Sequence, residues 1–312
     1  MEKLKIVYMG TPDFSVGPLE KLNEIYDVVG VVTQPDKEVG RKKEIKFSPV
    51  KEFALINNIK VLQPEKIRKE YDDILSLEPD IIITCAYGQI IPKELLDYPK
   101  YGCINIHASL LPKLRGGAPI HKAIINGYDK TGVTIMYMDE KMDSGDIIYQ
   151  EEIKIEDEDN AGTLFDKLSV LGSNMIIKIL PDIINNNINR IKQNEEEVTY
   201  AYNITREEEK INFNKSTKEV YNQIRGLYPY PVGYAILDDK KVKIYTSKIG
   251  NSNKEASPSE IINIYNDSIG VKTIDGEILL TEIQLEGKKR VFVKDYLNGI
   301  QDKNSLIGKI FK

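Results

Sequence analysis

Asn105 and His107 stand two residues apart at the end of an apolar run, Gly102-Cys103-Ile104, and that spacing is the first sign of chemistry in this chain. The run reads as a buried strand, and side chains two apart on a strand point to the same face. Asn105 and His107 therefore project together, while Ile106 faces the core. When an amine attacks an amide-like carbonyl, negative charge develops on the carbonyl oxygen. An Asn amide N–H and an imidazole can both serve as donors to it, and preorganised donors of this kind are often worth ~3 kcal/mol each. Asp143, in Asp143-Ser144-Gly145, completes the set. A carboxylate beside an imidazole favours the protonated ring, fixes its orientation, and can take a proton from the amine directly or through water.

An isolated Asn-x-His is more often a hydrogen-bonded structural pair. Its position alters the balance, because here an apolar strand gives way to the loop Ser109-Leu110-Leu111-Pro112. Open α/β sheets hold their ligands at such strand ends. The surrounding elements agree. Leu4 to Met9 is a short apolar run ending at Gly10, followed by a helical pattern through Leu19, Leu22 and Ile25. Val28 to Val32, Lys60 to Leu62 and Ile81 to Cys85 read as further strands, Thr33 to Phe47 as a long loop, and Ser48-Pro49 as the start of a helix. Alternating strands and helices imply a Rossmann-like, doubly wound, mostly parallel sheet. Gly10-Thr11-Pro12 lacks the glycine pattern of a dinucleotide site, which argues against NAD.

A strand from Ile147 to Ile155 and a helix from Ala161 to Ile184 follow; then the composition turns polar through Asn185–Asn189 and Gln193–Glu197. The chain divides into a catalytic domain at 1–189, a linker at 190–206 and a second domain at 207–312. In the last, a helix from Thr217 to Gly226 precedes short strands at Tyr234–Leu237, Lys241–Lys248, Glu260–Tyr265, Ile269–Ile274 and Ile278–Gln284, a set that suggests a small β-barrel.

Composition narrows the classes. The 312 residues favour two domains, and no run of 18 apolar residues exists to span a membrane. The chain enters a strand directly after Met1-Glu2-Lys3, so no signal or transit peptide is expected. Cys85 and Cys103 read as core thiols. With His107 and His121 the only histidines, and no metal-ligand spacing, no metal site is expected. The net charge of −5 is uneven: residues 201–312 hold 18 Lys or Arg against 15 Asp or Glu, and the first 200 residues carry the deficit. A weakly basic second domain can hold a nucleic acid locally, although a solvated surface explains the same numbers.

The composite Asn-x-His-x-Ser-Leu-Leu-Pro-x-x-Arg-Gly-x-x-Pro, from Asn105 to Pro119, resembles the folate-dependent formyltransferases. Further motifs narrow the likeness to the methionyl-tRNA formyltransferase family: Met9-Gly10-Thr11-Pro12-Asp13-Phe14, Thr33-Gln34-Pro35-Asp36 with Gly40-Arg41, Ser48-Pro49-Val50-Lys51, Ala86-Tyr87-Gly88-Gln89-Ile90-Ile91-Pro92, Ile204-Thr205-Arg206-Glu207-Glu208 and Ile224-Arg225-Gly226-Leu227-Tyr228-Pro229. The match runs almost end to end. It departs where the family commonly has Trp, since Tyr230 and Phe213 stand in this chain.

The resemblance implies an OB-like C-terminal barrel that binds tRNA, and transfer of formyl from 10-formyltetrahydrofolate to the α-amine of methionyl initiator tRNA for translation initiation. It implies catalytic roles for Asn105, His107 and Asp143. Gln89, Ile90, Ile91, Ser109, Leu110, Leu111 and Pro112 would line the folate pocket, although core packing is the rival account of the four aliphatic residues among them. Arg41, Lys42 and Lys43 would meet the acceptor end of the tRNA; Arg41 matches the family's key arginine, and Lys42 replaces the usual glycine after it. The partners are charged initiator tRNA and folate, with no membrane and no obligatory protein partner, in the cytoplasm. The nearest alternative is a formyltransferase acting on an aminosugar nucleotide, against which the basic loop speaks. Glycinamide ribonucleotide formylation typically uses a shorter chain, formyl-folate hydrolysis would not need the basic loop, and a purely RNA-binding protein would not need all three polar residues.

Overall fold

A computed structural model describes residues 4–39 and 43–312. Two compact units emerge. One comprises the chain up to Pro119 together with Lys130–Lys154 and Phe165–Tyr202; the other comprises Ile120–Asp129, Ile155–Leu164 and Asn203–Lys312.

The strands of the first unit are β1 (Lys5–Gly10), β2 (Asp27–Val32), β3 (Lys37–Val39), β4 (Glu44–Lys46), β5 (Val61–Leu62), β6 (Ile81–Cys85), β7 (Cys103–His107), β8 (Lys130–Tyr137) and β9 (Ile147–Lys154). Seven form one sheet in the order β5-β2-β1-β6-β7-β8-β9. Neighbours from β5 to β7 run parallel, whereas β8 and β9 are antiparallel additions at the edge. Every residue of β6 is buried, as is β1 from Ile6 onward, which is why both read as unbroken apolar runs. Helix α1 (Val16–Ile25) follows β1, and α2 (Pro49–Ile56) follows the hairpin. Ser48 caps α2 by accepting a hydrogen bond from the Lys51 amide at 3.1 Å, with Pro49 at the first helical position.

The segment read as a long loop contains structure. β3 and β4 pair as an antiparallel hairpin, with Lys37 opposite Lys46 and Val39 opposite Glu44. Lys37, Glu38 and residues 43–47 are exposed, so no buried face imposed an apolar alternation on the sequence. The base of the hairpin is pinned. Asp36 accepts hydrogen bonds from Lys51 Nζ at 2.5 Å and Gln63 Nε2 at 2.9 Å, Gln63 Nε2 also donates to Gln34 O at 2.9 Å, and Gln34 Nε2 donates to Tyr87 O at 3.0 Å.

The second unit carries β10 (Gly233–Leu237), β11 (Lys240–Gly250), β12 (Ile261–Ile264), β13 (Ile269–Lys272), β14 (Glu277–Leu285) and β15 (Val291–Phe292). They form an antiparallel sheet in the order β10-β11-β14-β13-β12, with β15 on β14. The turn between β10 and β11 places Asp238 and Asp239 at φ 50° and 57°, the paired positive values that suit a two-residue hairpin. The last residues close the sheet. Lys312 exchanges backbone hydrogen bonds with Ile236 next to one edge, and Lys309 and Phe311 bond Ile261 and Ser259 at the other. The core inside includes Val242, Ile244, Leu280 and Ile283, with Phe213 and Phe311 ring centroids 5.4 Å apart. The helix at Thr217–Leu227 starts on a reciprocal capping box between Ser216 and Glu219. Val291–Phe292 and the helix at Val293–Asn298 lie beyond the last strand read from sequence.

The Asp36 carboxyl is held below its ordinary value, first by the Lys51 hydrogen bond and then by Gln63. A group depressed in the folded state contributes stability that is present at neutral pH and lost as pH falls through its folded value. Lys51→Met is therefore expected to lower the melting temperature at pH 7 and to flatten its decline below about pH 4, where unperturbed Asp begins to protonate. Parallel acid-side melting curves for the two proteins would refute this.

Candidate active site

The strands β6 and β7 deliver the polar side chains. Thr84 and Asn105 are register partners, and the Thr84 hydroxyl donates to Asn105 Oδ1 at 2.8 Å. With Oδ1 occupied in this way, the amide nitrogen turns the other way and lies 3.5 Å from Asp143 Oδ1. Ile106 is buried on the opposite face, as period-two alternation requires.

His107 is also buried. Its Nε2 lies 3.0 Å from Leu114 O, and a carbonyl oxygen only accepts, so Nε2 carries a hydrogen. Nδ1 is left facing Asp143 Oδ2 at 3.8 Å. In the neutral ring Nδ1 holds the lone pair; in the charged ring it carries an N–H, near the carboxylate but beyond hydrogen-bond distance of it. Asp143 has φ 51°, and its Oδ2 accepts a hydrogen bond from the Gly116 amide at 2.8 Å. Gly116, at φ 123°, approaches the chain so closely that a Cβ there would lie 2.7 Å from Ala201 O. The three residues picked out in the sequence thus converge: an amide donor, a ring nitrogen able to exchange a proton, and a carboxylate. Thr84, Leu114 O and the Gly116 amide also belong to the arrangement, and no sequence motif marked their roles.

A cleft of about 410 Å³ is lined by Lys93, Leu96, Met138 and Ser144 together with the charged Asp97, Asp139, Glu140, Lys141 and Glu195; Asn105, His107 and Asp143 are not part of its lining. Met138 Sδ is 3.2 Å from Thr84 Oγ1, and Ser144 follows Asp143 in the chain. Of the residues expected to line a folate pocket, Ile91 and Leu111 are core members, and the Ser109 hydroxyl donates to Lys113 O at 2.7 Å. Gln89 binds the neighbouring loop, accepting from the Ile67 amide at 3.0 Å and donating to Pro64 O at 3.2 Å. Ile90 is exposed; Leu110 and Pro112 are half-buried. Lys43 is exposed on the hairpin, 3.4 Å from Glu38, and Arg41 and Lys42 lie outside the described residues.

Comparison with known proteins gives a consistent family. Residues 4–180 match the family described as "Formyl transferase", and residues 203–301 match "Formyl transferase, C-terminal domain". A curated methionyl-tRNA formyltransferase of Bacillus licheniformis is 54% identical over 299 residues, covering 95% of both chains. That of Bacillus cytotoxicus is 54% identical over 300 residues, covering 95% of this chain and 96% of its own. Among solved structures, the sugar 3N-formyltransferase WlaRD, determined in the presence of dTDP and 5-N-formyl-THF, aligns with a TM-score of 0.67 at 25% identity, covering 93% of this chain and all of its own. An N-formyltransferase from Helicobacter canadensis, in complex with folinic acid and dTDP-3-aminofucose, aligns with a TM-score of 0.66 at 26% identity over 90% of this chain and 99% of its own. Both halves of the match and the full-length relatives agree, and the chain belongs to the formyltransferase family, among its methionyl-tRNA formyltransferases.

Proposed function

We propose that the protein transfers the formyl group of 10-formyltetrahydrofolate to the α-amine of methionyl initiator tRNA, for translation initiation in the cytoplasm. The observation that carries the reading is the convergence of the Asn105 amide, His107 Nδ1 and the Asp143 carboxylate at the strand ends. The amine nitrogen forms a bond to the formyl carbon, and the carbonyl electron pair moves onto oxygen. Collapse breaks the bond to N10 of the folate, the amine loses a proton, and N10 gains one. Asn105 Nδ2 and a protonated His107 Nδ1 supply N–H donors to the oxyanion. Asp143, next to Nδ1, takes the proton from the amine directly or through water and returns it through the ring.

The cleft is within the usual size range of small-molecule sites, and it is linked to the cluster by Met138, which touches Thr84, and by Ser144, the residue after Asp143. It suits the flat folate donor, whose formyl end would then reach Asn105. Gln89 to Ile91 and Ser109 to Pro112 are outside the lining of this cleft, and Ile91, Leu111, Gln89 and Ser109 are engaged in core or backbone contacts; their role toward folate rests on the family resemblance. Arg41, Lys42 and Lys43, on the basic segment after Asp36, would meet the tRNA acceptor end, where an arginine fork can bind phosphate bidentately or stack on a base. Aminosugar nucleotides remain the competing acceptor, since the solved neighbours act on sugars. The relatives at 54% identity favour tRNA. Offering 10-formyltetrahydrofolate with methionyl-tRNA or an aminosugar nucleotide decides between them; formylation of the sugar alone defeats the proposal.

In the second unit, Tyr234, Lys243 and Gln284 align across β10, β11 and β14, with Lys241 Nζ 3.7 Å from the Tyr234 ring centre. This aromatic and basic face supports a role as a tRNA grip. Arg290 is not one of its free cations. Its guanidinium donates to both Glu282 oxygens at 2.6 and 2.7 Å and to the Tyr228 hydroxyl at 3.3 Å, which raises its pKa further, and it also lies over the Tyr245 ring.

Asn105→Ala, His107→Ala and Asp143→Ala are each expected to lower kcat by about two orders of magnitude or more with unchanged melting. Thr84→Val should lower it less, because the amide loses its orienting partner but stays in place. Near-normal turnover in any alanine variant removes that residue from the mechanism. Arg41→Ala should raise the KM for tRNA while titration of the folate donor without tRNA stays unchanged. Charge reversal at the exposed Lys288 and Lys289 should flatten the slope of log affinity for tRNA against log salt by roughly 0.7 to 0.9 per lost phosphate contact. An unchanged slope would exclude them from the grip.

A further inference from the structure

The turn that carries Asp143 is held from behind by a residue that lies in the polar stretch after the long helix Ala161–Ile184. Gln193 Nε2 donates to Asp143 O and to Gly145 O, each at 2.8 Å. Gln193 Oε1 accepts from Arg115 Nε at 3.0 Å. Arg115 is 3% exposed, and its remaining guanidinium nitrogens reach Glu195 at 2.8 and 3.4 Å. On the other side of Asp143, the amide that binds its carboxylate belongs to Gly116, the residue after Arg115. The backbone of Arg115 is itself fixed, since its amide donates to Thr199 O at 2.9 Å and its carbonyl accepts from the Ala201 amide at 2.7 Å.

These contacts close a ring. From Arg115 the path runs through its side chain to Gln193, from Gln193 to the carbonyl of Asp143, along Asp143 to its carboxylate, and through the Gly116 amide back to Arg115. Asp143 is thereby fixed at both its backbone and its charged end. The need is physical, because Asp143 sits at φ 51°, where a non-glycine residue persists only when its surroundings hold it. Gly145 is equally constrained: a Cβ there would lie 2.0 Å from Tyr137 O.

We propose that Gln193, tethered by Arg115, is a positioning residue that sets where the Asp143 carboxylate stands relative to His107 Nδ1 and Asn105; this rests on the formyl-transfer reading above. Gln193 meets no reacting atom. It acts through the turn, so its loss should appear in the chemical step and leave binding alone.

The test uses the full chain with 10-formyltetrahydrofolate and methionyl-tRNA. Gln193→Met removes both donor and acceptor at similar volume. Gln193→Glu keeps the acceptor for Arg115, removes the donation to the turn and sets a carboxylate oxygen against the Asp143 and Gly145 carbonyls. Both are expected to lower kcat roughly 10- to 100-fold, the scale of a displacement of about 1 Å at a reacting group, with KM for both substrates and folate affinity within about twofold. Lys192→Ala, at the exposed neighbour, should behave as the parent protein. The proposal is overturned if kcat is unchanged in both Gln193 variants, if KM carries the loss, or if Gln193→Glu matches the parent while only Gln193→Met fails. Should Gln193→Met melt early, Gln193→Glu decides alone. Failure of the parent protein to formylate methionyl-tRNA would instead sink the acceptor assignment, and the positioning role is then read on whichever acceptor the parent protein formylates.

Discussion

A backbone carbonyl cannot donate a hydrogen bond, and because Leu114 O lies 3.0 Å from His107 Nε2 the imidazole must keep a hydrogen there. All proton exchange by the ring then passes through Nδ1, on the side of Asp143 and Asn105. The rest of the first unit can be understood from this one contact. Leu114 presents its oxygen from a backbone at φ 62°, and its amide is anchored by Thr199 Oγ1 at 2.9 Å. Without that anchor the carbonyl would be free to turn, and the ring could flip its tautomer and lose its direction. The orientation of the ring is thus tied from Thr199, through a loop residue at positive φ, to a nitrogen on the sheet.

Strain gathers at the ends of these strands. Ala86 and Gly88 follow β6 with φ of 49° and 92°, Leu114 and Gly116 follow β7, and Asp143 lies between β8 and β9. Each such non-glycine residue costs of order 1–3 kcal/mol and persists only where neighbours over-determine it. The neighbours are visible in each case. Thr11 Oγ1 and Gln34 Nε2 both donate to Tyr87 O, Thr199 holds Leu114, and Gly116 with Gln193 holds Asp143. The buried parallel strands make this possible, because they hold the loop ends at fixed separations.

Asn105 and His107 were legible because strand periodicity is two and their side chains had to share a face. Asp143 is 36 residues beyond His107 in the chain; it was legible as a partner only through motif resemblance, since no local pattern links it to β7. Gln193 was illegible. Its neighbours are Asn, Lys and Glu, a composition that reads as a solvated connection, and its partners are two backbone carbonyls and an arginine 78 residues away in the chain. The hairpin at β3 and β4 escaped for the opposite reason: Lys37, Glu38 and Glu44–Lys46 are exposed, so no buried face there wrote an alternation into the sequence. The pairing of Arg290 with Glu282 was illegible because strand register cannot be taken from composition.

The arginines divide by task in a way that lysines cannot replace. Arg115 forks between Gln193 and Glu195, Arg225 donates three times to the carbonyls of Glu156, Asp157 and Asp159, and Arg290 pairs with both oxygens of Glu282. Each use needs a planar group with several fixed donors, and each binds protein rather than substrate. Desolvation lowers the pKa of Arg225, yet a guanidinium stays charged where an ammonium would lose its proton. The cations left at the surface of the second unit are therefore mostly lysines, compact and strongly hydrated charges on flexible stems. Such charges suit contacts with a phosphate backbone that carry little sequence information. On the proposed function, discrimination among acceptors falls to the first unit, whose hydrogen-bonded donors at Asn105 and His107 have fixed directions.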